Sequence, residues 1–203
     1  MKHGCNESQT SQVLVTMIKS RAIFLDRDGV INEDSESFIT HPDQVKIFPT
    51  VSQSIRSLRE IGFHIIVVSN QSGVGRGLLS EETLADINGK IRDELDREGA
   101  KLDAMYYCPH LPTDGCSCRK PRNGMLVQAS QDFGIDLSES YMIGDKPSDI
   151  ACGESSGCTT ILTLSGQSKG FDKSKFIVYP DFICTDLLVA SKWILEKEKT
   201  PKG

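Results

Sequence analysis

No window of the 203-residue chain approaches the roughly 18 consecutive apolar residues of a membrane-spanning helix. The opening "MKHGCNESQTSQ" also lacks the apolar centre of a signal peptide. Positive charge is in deficit, with 23 Lys and Arg against 28 Asp and Glu and a formal net charge of −5. That balance argues against general affinity for nucleic acid or an anionic membrane, so any anion site has to be built locally. Internal repeats and low-complexity linkers are missing too, which leaves one domain as the default for this length. The expectation is a cytoplasmic monomer with neither nucleic acid nor membrane as partner.

At 38% hydrophobic and 25% charged residues the chain has enough apolar side chain for a full core. Apolar runs alternate with amphipathic segments: "AIFL" (22–25), a helix near 50–61, "IIVVS" (65–69), a helix near 80–98, and "AMYYC" (104–108). A helix near 124–133, "YMIG" (141–144), a helix near 148–156, "TILTL" (160–164), "FIVY" (176–179) and a helix near 185–197 continue the series. The alternation predicts an α/β fold, a doubly wound and mainly parallel Rossmann-like sheet whose short apolar strands lie under helices. Thr50 and Gln53 have capping-box spacing, Gly62 is a helix stop, and Ser80 ahead of Glu81 and Glu82 is a helix start. Residues 1–19 read as a disordered arm, 20–197 as the domain and 198–203 as a charged, flexible tail. Only a loop (33–48) and one helix (80–98) stand where a large cap domain would be inserted, so the crevice should be open.

The reactive residues collect where strands end. Asp26 and Asp28 follow "AIFL", Ser69 to Ser72 follow "IIVV", Arg119 and Lys120 lie beyond "AMYYC", and Asp145 and Lys146 follow "YMIG". In a parallel sheet those ends face one crevice. Carboxylates from two strand ends make a hard, oxygen-rich site suited to Mg²⁺, with Asp26 and Asp145 as side-chain ligands. An ionised Asp26 can attack phosphorus, and Asp28 can hand a proton to the leaving oxygen and later take one from water. Lys120 and Lys146 would neutralise phosphate charge, Ser69 would donate to a phosphoryl oxygen, and Arg119 can grip an oxyanion.

Of seven cysteines, Cys108, Cys116 and Cys118 crowd together with His110 in "CPHLPTDGCSC". The C-x-H-x₅-C-x-C spacing offers the Cys₃His set that tetrahedral Zn²⁺ accepts, although it differs from the finger patterns. Four protein ligands would leave no open position, so such a zinc is structural, pinning the loop just before Arg119 and Lys120. Cys5, Cys152, Cys158 and Cys184 read as ordinary thiols, and His3, His41 and His64 as solvated histidines.

"DRDGVIN", "VSNQSG", "CRKP" and "IGDKPSD" resemble, in order and spacing, the motifs of the haloacid dehalogenase superfamily of aspartyl-phosphate phosphatases. Within it, the stretch 21–165 is similar to the heptose-bisphosphate phosphatases and their histidinol-phosphate relatives. The resemblance implies Asp26 as nucleophile, Asp28 as proton donor and acceptor, Mg²⁺ on Asp26, the Asp28 carbonyl and Asp145, and phosphate on Ser69. It further implies substrate contacts from Asn70, Gln71, Ser72, Arg119, Lys120 and Lys146, a supporting or helix-capping Asp149, and a structural Zn²⁺ on Cys108, His110, Cys116 and Cys118. The implied activity is removal of the 7-phosphate of D-glycero-D-manno-heptose 1,7-bisphosphate, on the way to ADP- or GDP-heptose. Histidinol phosphate or another small polyol phosphate is the alternative, which the five-residue spacer between His110 and Cys116 favours. The segment "EDSESF" departs from the Asp-His-Gly-Tyr-like stretch of the heptose enzymes, keeping only Asp34. A zinc-stabilised binding module without turnover is disfavoured because Asp26, Asp28, Lys120 and Asp145 are all present.

Overall fold

The structure is a computed structural model that describes residues 19–35, 37–166 and 172–200. Six strands lie in the order β3-β2-β1-β4-β5-β6, and every pair is parallel. They are β1 (Arg21–Leu25), β2 (Phe63–Asn70), β3 (Ala104–Cys108), β4 (Tyr141–Gly144), β5 (Thr159–Thr163) and β6 (Phe182–Cys184). The helices are α1 (Val51–Glu60), α2 (Glu81–Arg97), α3 (Gly124–Phe133), α4 (Pro147–Ser155) and α5 (Leu187–Lys199). Among the described residues no helix is long and apolar enough to cross a membrane.

Strand periodicity divides the core. Ile23, Leu25, Ile65, Val67, Ile143 and Ile161 face α1, α2 and α5 through Ile55, Leu58, Ile87, Ile91 and Ile194. Their neighbours Ala22, Phe24, Ile66, Val68 and Met142 face α3 and α4 through Leu126, Ala129 and Cys152. Successive side chains on a strand point to opposite faces, so a stretch covered on both sides must be apolar throughout, and "AIFL" of β1, "IIVV" of β2 and "YMIG" of β4 read that way. The sheet starts at β1 and winds outward in both directions, which puts the switch of strand order between β1 and β4. Ligands of doubly wound sheets bind beyond the carboxyl ends at such a switch.

Three local expectations are corrected. "FIVY" is not a strand: Ile177 is fully exposed, while Phe176 and Val178 pack on Ile150 and Leu162. Pro180 follows, and proline has no donor for a ladder, so the chain turns and β6 forms at Phe182–Cys184 instead. Thr50 precedes α1 as predicted but makes no side-chain cap. Ser54 donates both its N–H and its hydroxyl to the Thr50 carbonyl. Glu198, assigned to the tail, belongs to α5, where it accepts from Tyr141 (2.7 Å) and pairs with Arg21. The expected arm lies outside the described residues apart from Lys19, as do residues 201–203 and Cys5.

No cap domain interrupts the described residues. Between β1 and α1 stands a loop with one 3₁₀ turn, Pro42–Gln44, and between β2 and β3 only α2. The Ser80 hydroxyl caps α2 by accepting from Thr83 N–H.

Candidate active site

Asp26 begins where β1 stops, its N–H donating to the Ile143 carbonyl (2.9 Å) and so tying the first aspartate to β4. Its carboxylate lies beside two ammonium groups: Lys120 Nζ is 2.9 Å from Oδ1 and Lys146 Nζ is 3.7 Å from Oδ2. Burial pushes the Asp26 carboxyl up, but the two lysines outweigh it and hold the group below its ordinary range. Lys120 is also buried, and its three protons are all engaged, by Asp26, Asp149 Oδ1 (2.7 Å) and the Val68 carbonyl (2.6 Å). Burial lowers the affinity of this amine for its proton, yet the two carboxylates raise it well above the usual lysine range. Asp149 completes the clamp. Its Oδ2 accepts from the Lys146 N–H (3.0 Å) at the start of α4, where Pro147 occupies the first helical position.

Lys146 marks where a cation belongs. Its ammonium stands 3.4 Å from the Asp28 carbonyl, 3.7 Å from Asp26 Oδ2 and 3.4 Å from Asp145 Oδ1. These are the three oxygens expected to hold Mg²⁺, and they already converge on one positive charge. A hard divalent ion prefers such a set of carboxylate and carbonyl oxygens. Glycine backbones cradle Asp145: a Cβ on Gly29 would fall 2.5 Å, and one on Gly166 2.1 Å, from its Oδ2. The residues therefore fit Mg²⁺. Asp149 lies in the same carboxylate group, but the Lys120 ammonium and the Lys146 N–H already occupy it.

The remaining expected residues gather here. Ser69 is buried and accepts from Gln71 Nε2 (2.8 Å). Asn70 bonds reciprocally with the Lys120 backbone, donating to its carbonyl and accepting from its N–H at 3.0 Å each. Asn70 thus ties the Lys120 backbone to the end of β2. Ser72 is buried, and Arg119 reaches the His110 carbonyl (3.3 Å). All of them line a cavity of about 340 Å³ beside Asp26, Asp28, Lys120 and Lys146. The sequence reading missed Phe38, Arg76 and Ser148 in that lining. It also missed the Asp34 to Lys146 pair (3.2 Å), which draws the divergent "EDSESF" segment into the site.

At the rim, Cys108, His110, Cys116 and Cys118 form a compact group. Cys108 to His110 is 3.5 Å, Cys108 to Cys116 3.6 Å, Cys118 to Cys116 3.5 Å and Cys118 to His110 3.3 Å. Ligand bonds of about 2.3 Å to sulfur and 2.0 Å to nitrogen in a tetrahedral zinc site require atom separations of this size. The sulfurs are too far apart for a disulfide, and the thiols are free. Burial pushes the Cys108 thiol up to about 12, whereas for Cys116 burial is outweighed by the Arg119 N–H and neighbouring thiols, down to about 7. Crowded thiols resist joint ionisation without a cation, so the donor set fits Zn²⁺. β3 aligns Cys108 with Asn70 of β2, and the Gly75 N–H donates to the Pro109 carbonyl (3.0 Å), so the loop abuts the crevice. His41 and His64 stay outside both clusters, beside Asp43 and Asp103 respectively. Cys152, Cys158 and Cys184 are buried thiols pushed up to about 12 by that burial.

The HAD-hydrolase-like family profile matches residues 117–190. A D-glycero-beta-D-manno-heptose-1,7-bisphosphate 7-phosphatase of Bordetella bronchiseptica is 33% identical over 177 residues, covering 87% of this chain and 99% of its own length. A D-glycero-D-manno-heptose-1,7-bisphosphate 7-phosphatase of Thermosynechococcus vestitus is 36% identical over 186 residues, covering 85% and 94%. The crystal structure of the B. bronchiseptica D,D-heptose 1,7-bisphosphate phosphatase, complexed with magnesium and phosphate, superposes with a TM-score of 0.78 at 32% identity, again covering 87% of this chain and 99% of that one. The chain belongs to the family of haloacid-dehalogenase-like phosphatases that contains the D-glycero-D-manno-heptose-1,7-bisphosphate 7-phosphatases.

Proposed function

We propose that this chain removes the 7-phosphate of D-glycero-D-manno-heptose 1,7-bisphosphate through an aspartyl-phosphate, acting as a cytoplasmic monomer on the free sugar. The observation that carries the chemistry is the convergence of Asp26, Lys120 and the oxygen set of Asp26, Asp28 and Asp145 at one strand-end crevice. The names of the relatives support the substrate.

A carboxylate oxygen of Asp26 attacks phosphorus, and the phosphorus–oxygen bond to the sugar breaks with its electron pair left on that oxygen. Asp28 delivers the proton that neutralises it. Water then attacks the acyl-phosphate, Asp28 takes its proton, and Asp26 is released as carboxylate together with phosphate. Lys120 balances the charge that Asp26 and the phosphoryl group bring into a buried site, Ser69 donates to a phosphoryl oxygen, and Arg119 holds an outer oxyanion of the substrate. Gln71, Ser72 and Lys146 complete the substrate contacts. Bound Mg²⁺, on Asp26, the Asp28 carbonyl and Asp145, supplies charge neutralisation to the phosphoryl oxygens. Cys108, His110, Cys116 and Cys118 would hold Zn²⁺ with four protein ligands, and the pinned loop would fix Arg119 and Lys120.

The test is kcat/KM for both anomers of the heptose bisphosphate beside histidinol phosphate, with and without Mg²⁺, in the native chain and in Asp26→Asn. The expected result is Mg²⁺-dependent release of phosphate, at least tenfold faster from a heptose bisphosphate, a preference worth about 1.4 kcal/mol. Preference for histidinol phosphate would overturn the substrate, and turnover by Asp26→Asn would overturn the nucleophile.

A further inference from the structure

The residue between the two aspartates is itself buried. Arg27 is 1% exposed, and its guanidinium forks onto the Asp28 carboxylate, Nε to Oδ1 at 3.1 Å and Nη2 to Oδ2 at 3.0 Å. Nη2 also donates to Gln71 Oε1 (3.1 Å), and Nη1 donates to Asn88 Oδ1 on α2 (3.0 Å). Two further donors reach the carboxylate, Asn32 Nδ2 to Oδ1 (2.9 Å) and Gln71 Nε2 to Oδ2 (2.8 Å). A carboxylate offers about four lone-pair sites, and all are used.

We propose that Arg27, braced from behind by Asn88, is the positioning residue that aims Asp28 at the reacting oxygen. The inference rests on the reading of Asp28 as proton carrier. Proton exchange at Asp28 requires one of its four contacts to open. Asn32 and Gln71 each hold one oxygen by a single bond, so either can open while the planar fork still fixes the carboxylate at two points. The fork has a rigid base: the Arg27 N–H donates to Asp26 Oδ1 (2.8 Å) and its carbonyl accepts from the Ile31 N–H (2.9 Å). Asn88 enters from a helix whose neighbouring Ile87 and Ile91 are locked in the core. The position of Asp28 is thereby referred to the packed sheet-and-helix layer rather than to a loop. A lysine could neutralise Asp28 equally well but could not hold its plane.

Leaving-group dependence tests this. Expulsion of a sugar alkoxide needs a proton, whereas expulsion of p-nitrophenolate does not, and kcat/KM reports the step in which that bond breaks. Arg27→Met and Arg27→Lys are expected to lower kcat/KM on the sugar phosphate by about 100-fold and on p-nitrophenyl phosphate by less than about 5-fold, within the range of general acid catalysis. Asn88→Ala, a milder change that tests the brace should the arginine variants fail to fold, is expected to show the same bias, a loss of about 10-fold on the sugar phosphate against less than about 2-fold on p-nitrophenyl phosphate. Asp28→Asn is the reference. If it discriminates between the substrates but Asn88→Ala and the Arg27 variants lose equally on both, Arg27 is merely structural and the inference fails. If Asp28→Asn itself loses equally on both, the reading of Asp28 fails and takes the inference with it. Restoration of sugar-phosphate turnover by Arg27→Lys would also count against a role for the fork.

Discussion

Lys120 and Asp149 form a fully buried ion pair at 2.7 Å, and the same ammonium holds Asp26 at 2.9 Å. One lysine therefore compensates two carboxylates away from water. Removing one partner of a buried pair strands the other charge, at a cost of about 3–5 kcal/mol. Lys120→Met is expected to lose that much stability in urea denaturation, together with all turnover. Adding Asp149→Asn should return part of the stability and none of the activity, and an unaltered urea midpoint for the single variant would contradict the clamp.

The contact between Lys120 and Asp26 sets the acid limit. Because Asp26 is held below its ordinary value near 3.8 in the folded chain, its contribution is complete above that pH and fades as pH falls through the lower folded value. Stability of the native chain should fall with acid below about pH 4, and Asp26→Asn should show a shallower fall there when unfolding is followed by circular dichroism.

Gly166 offers a test of the cation cradle in which no ligand residue is substituted. A methyl group there would sit 2.1 Å from Asp145 Oδ2, so Gly166→Ala must displace that carboxylate. Its apparent affinity for Mg²⁺ in the phosphatase assay should weaken by about 10-fold, the lower end of the effect of disturbing residues that orient ligands. An unchanged Mg²⁺ titration would place the metal elsewhere.

One zinc per chain is expected by elemental analysis, with Co²⁺ in its place giving the absorption of a tetrahedral thiolate site. Cys116→Ser should lower zinc content and the midpoint of thermal unfolding. It should also raise KM, because the loop carries Arg119. Full zinc content in that variant would exclude Cys116 as a ligand.

The α5 clasp should matter to stability alone. Glu198 accepts from Tyr141 and pairs with Arg21, and the Trp193 ring on the same helix stacks on Phe182 at 4.6 Å. Glu198→Ala is expected to cost about 1–3 kcal/mol, the range for leaving buried partners unsatisfied, with kcat unchanged. A fall in kcat would mean that α5 reaches the crevice.

Legibility followed burial on two faces. The runs "AIFL", "IIVV" and "YMIG" of β1, β2 and β4 are apolar without interruption, and β4 and α3 lie where the pattern puts them; β3, an edge strand, was legible from its composition. At the edge, where one flank of the strand faces solvent, the pattern weakened: "FIVY" has the right composition but ends at Pro180, and the three residues of β6 carry too little signal to outrank it. The site residues that announce themselves chemically, Asp26, Asp28, Lys120 and Asp145, meet in one crevice. Asn70 was legible as a site residue, but its bonds to the Lys120 backbone were not, since they join residues fifty positions apart.

Local order along the chain determined which residues stand at strand ends, because a carboxylate after an apolar run and a glycine after a helix depend only on near neighbours. It also brought together the four zinc-type donors, which span eleven residues in Cys108–Cys118. What the tertiary structure alone decided is who touches whom across long separations: Arg27 with Asn88, Lys146 with Asp34, and Lys120 with Asp149. These partnerships arise from parallel strand order, which lays β1 beside both β2 and β4. They are enforced by burial, since a charge taken out of water has to find its opposite within bonding reach.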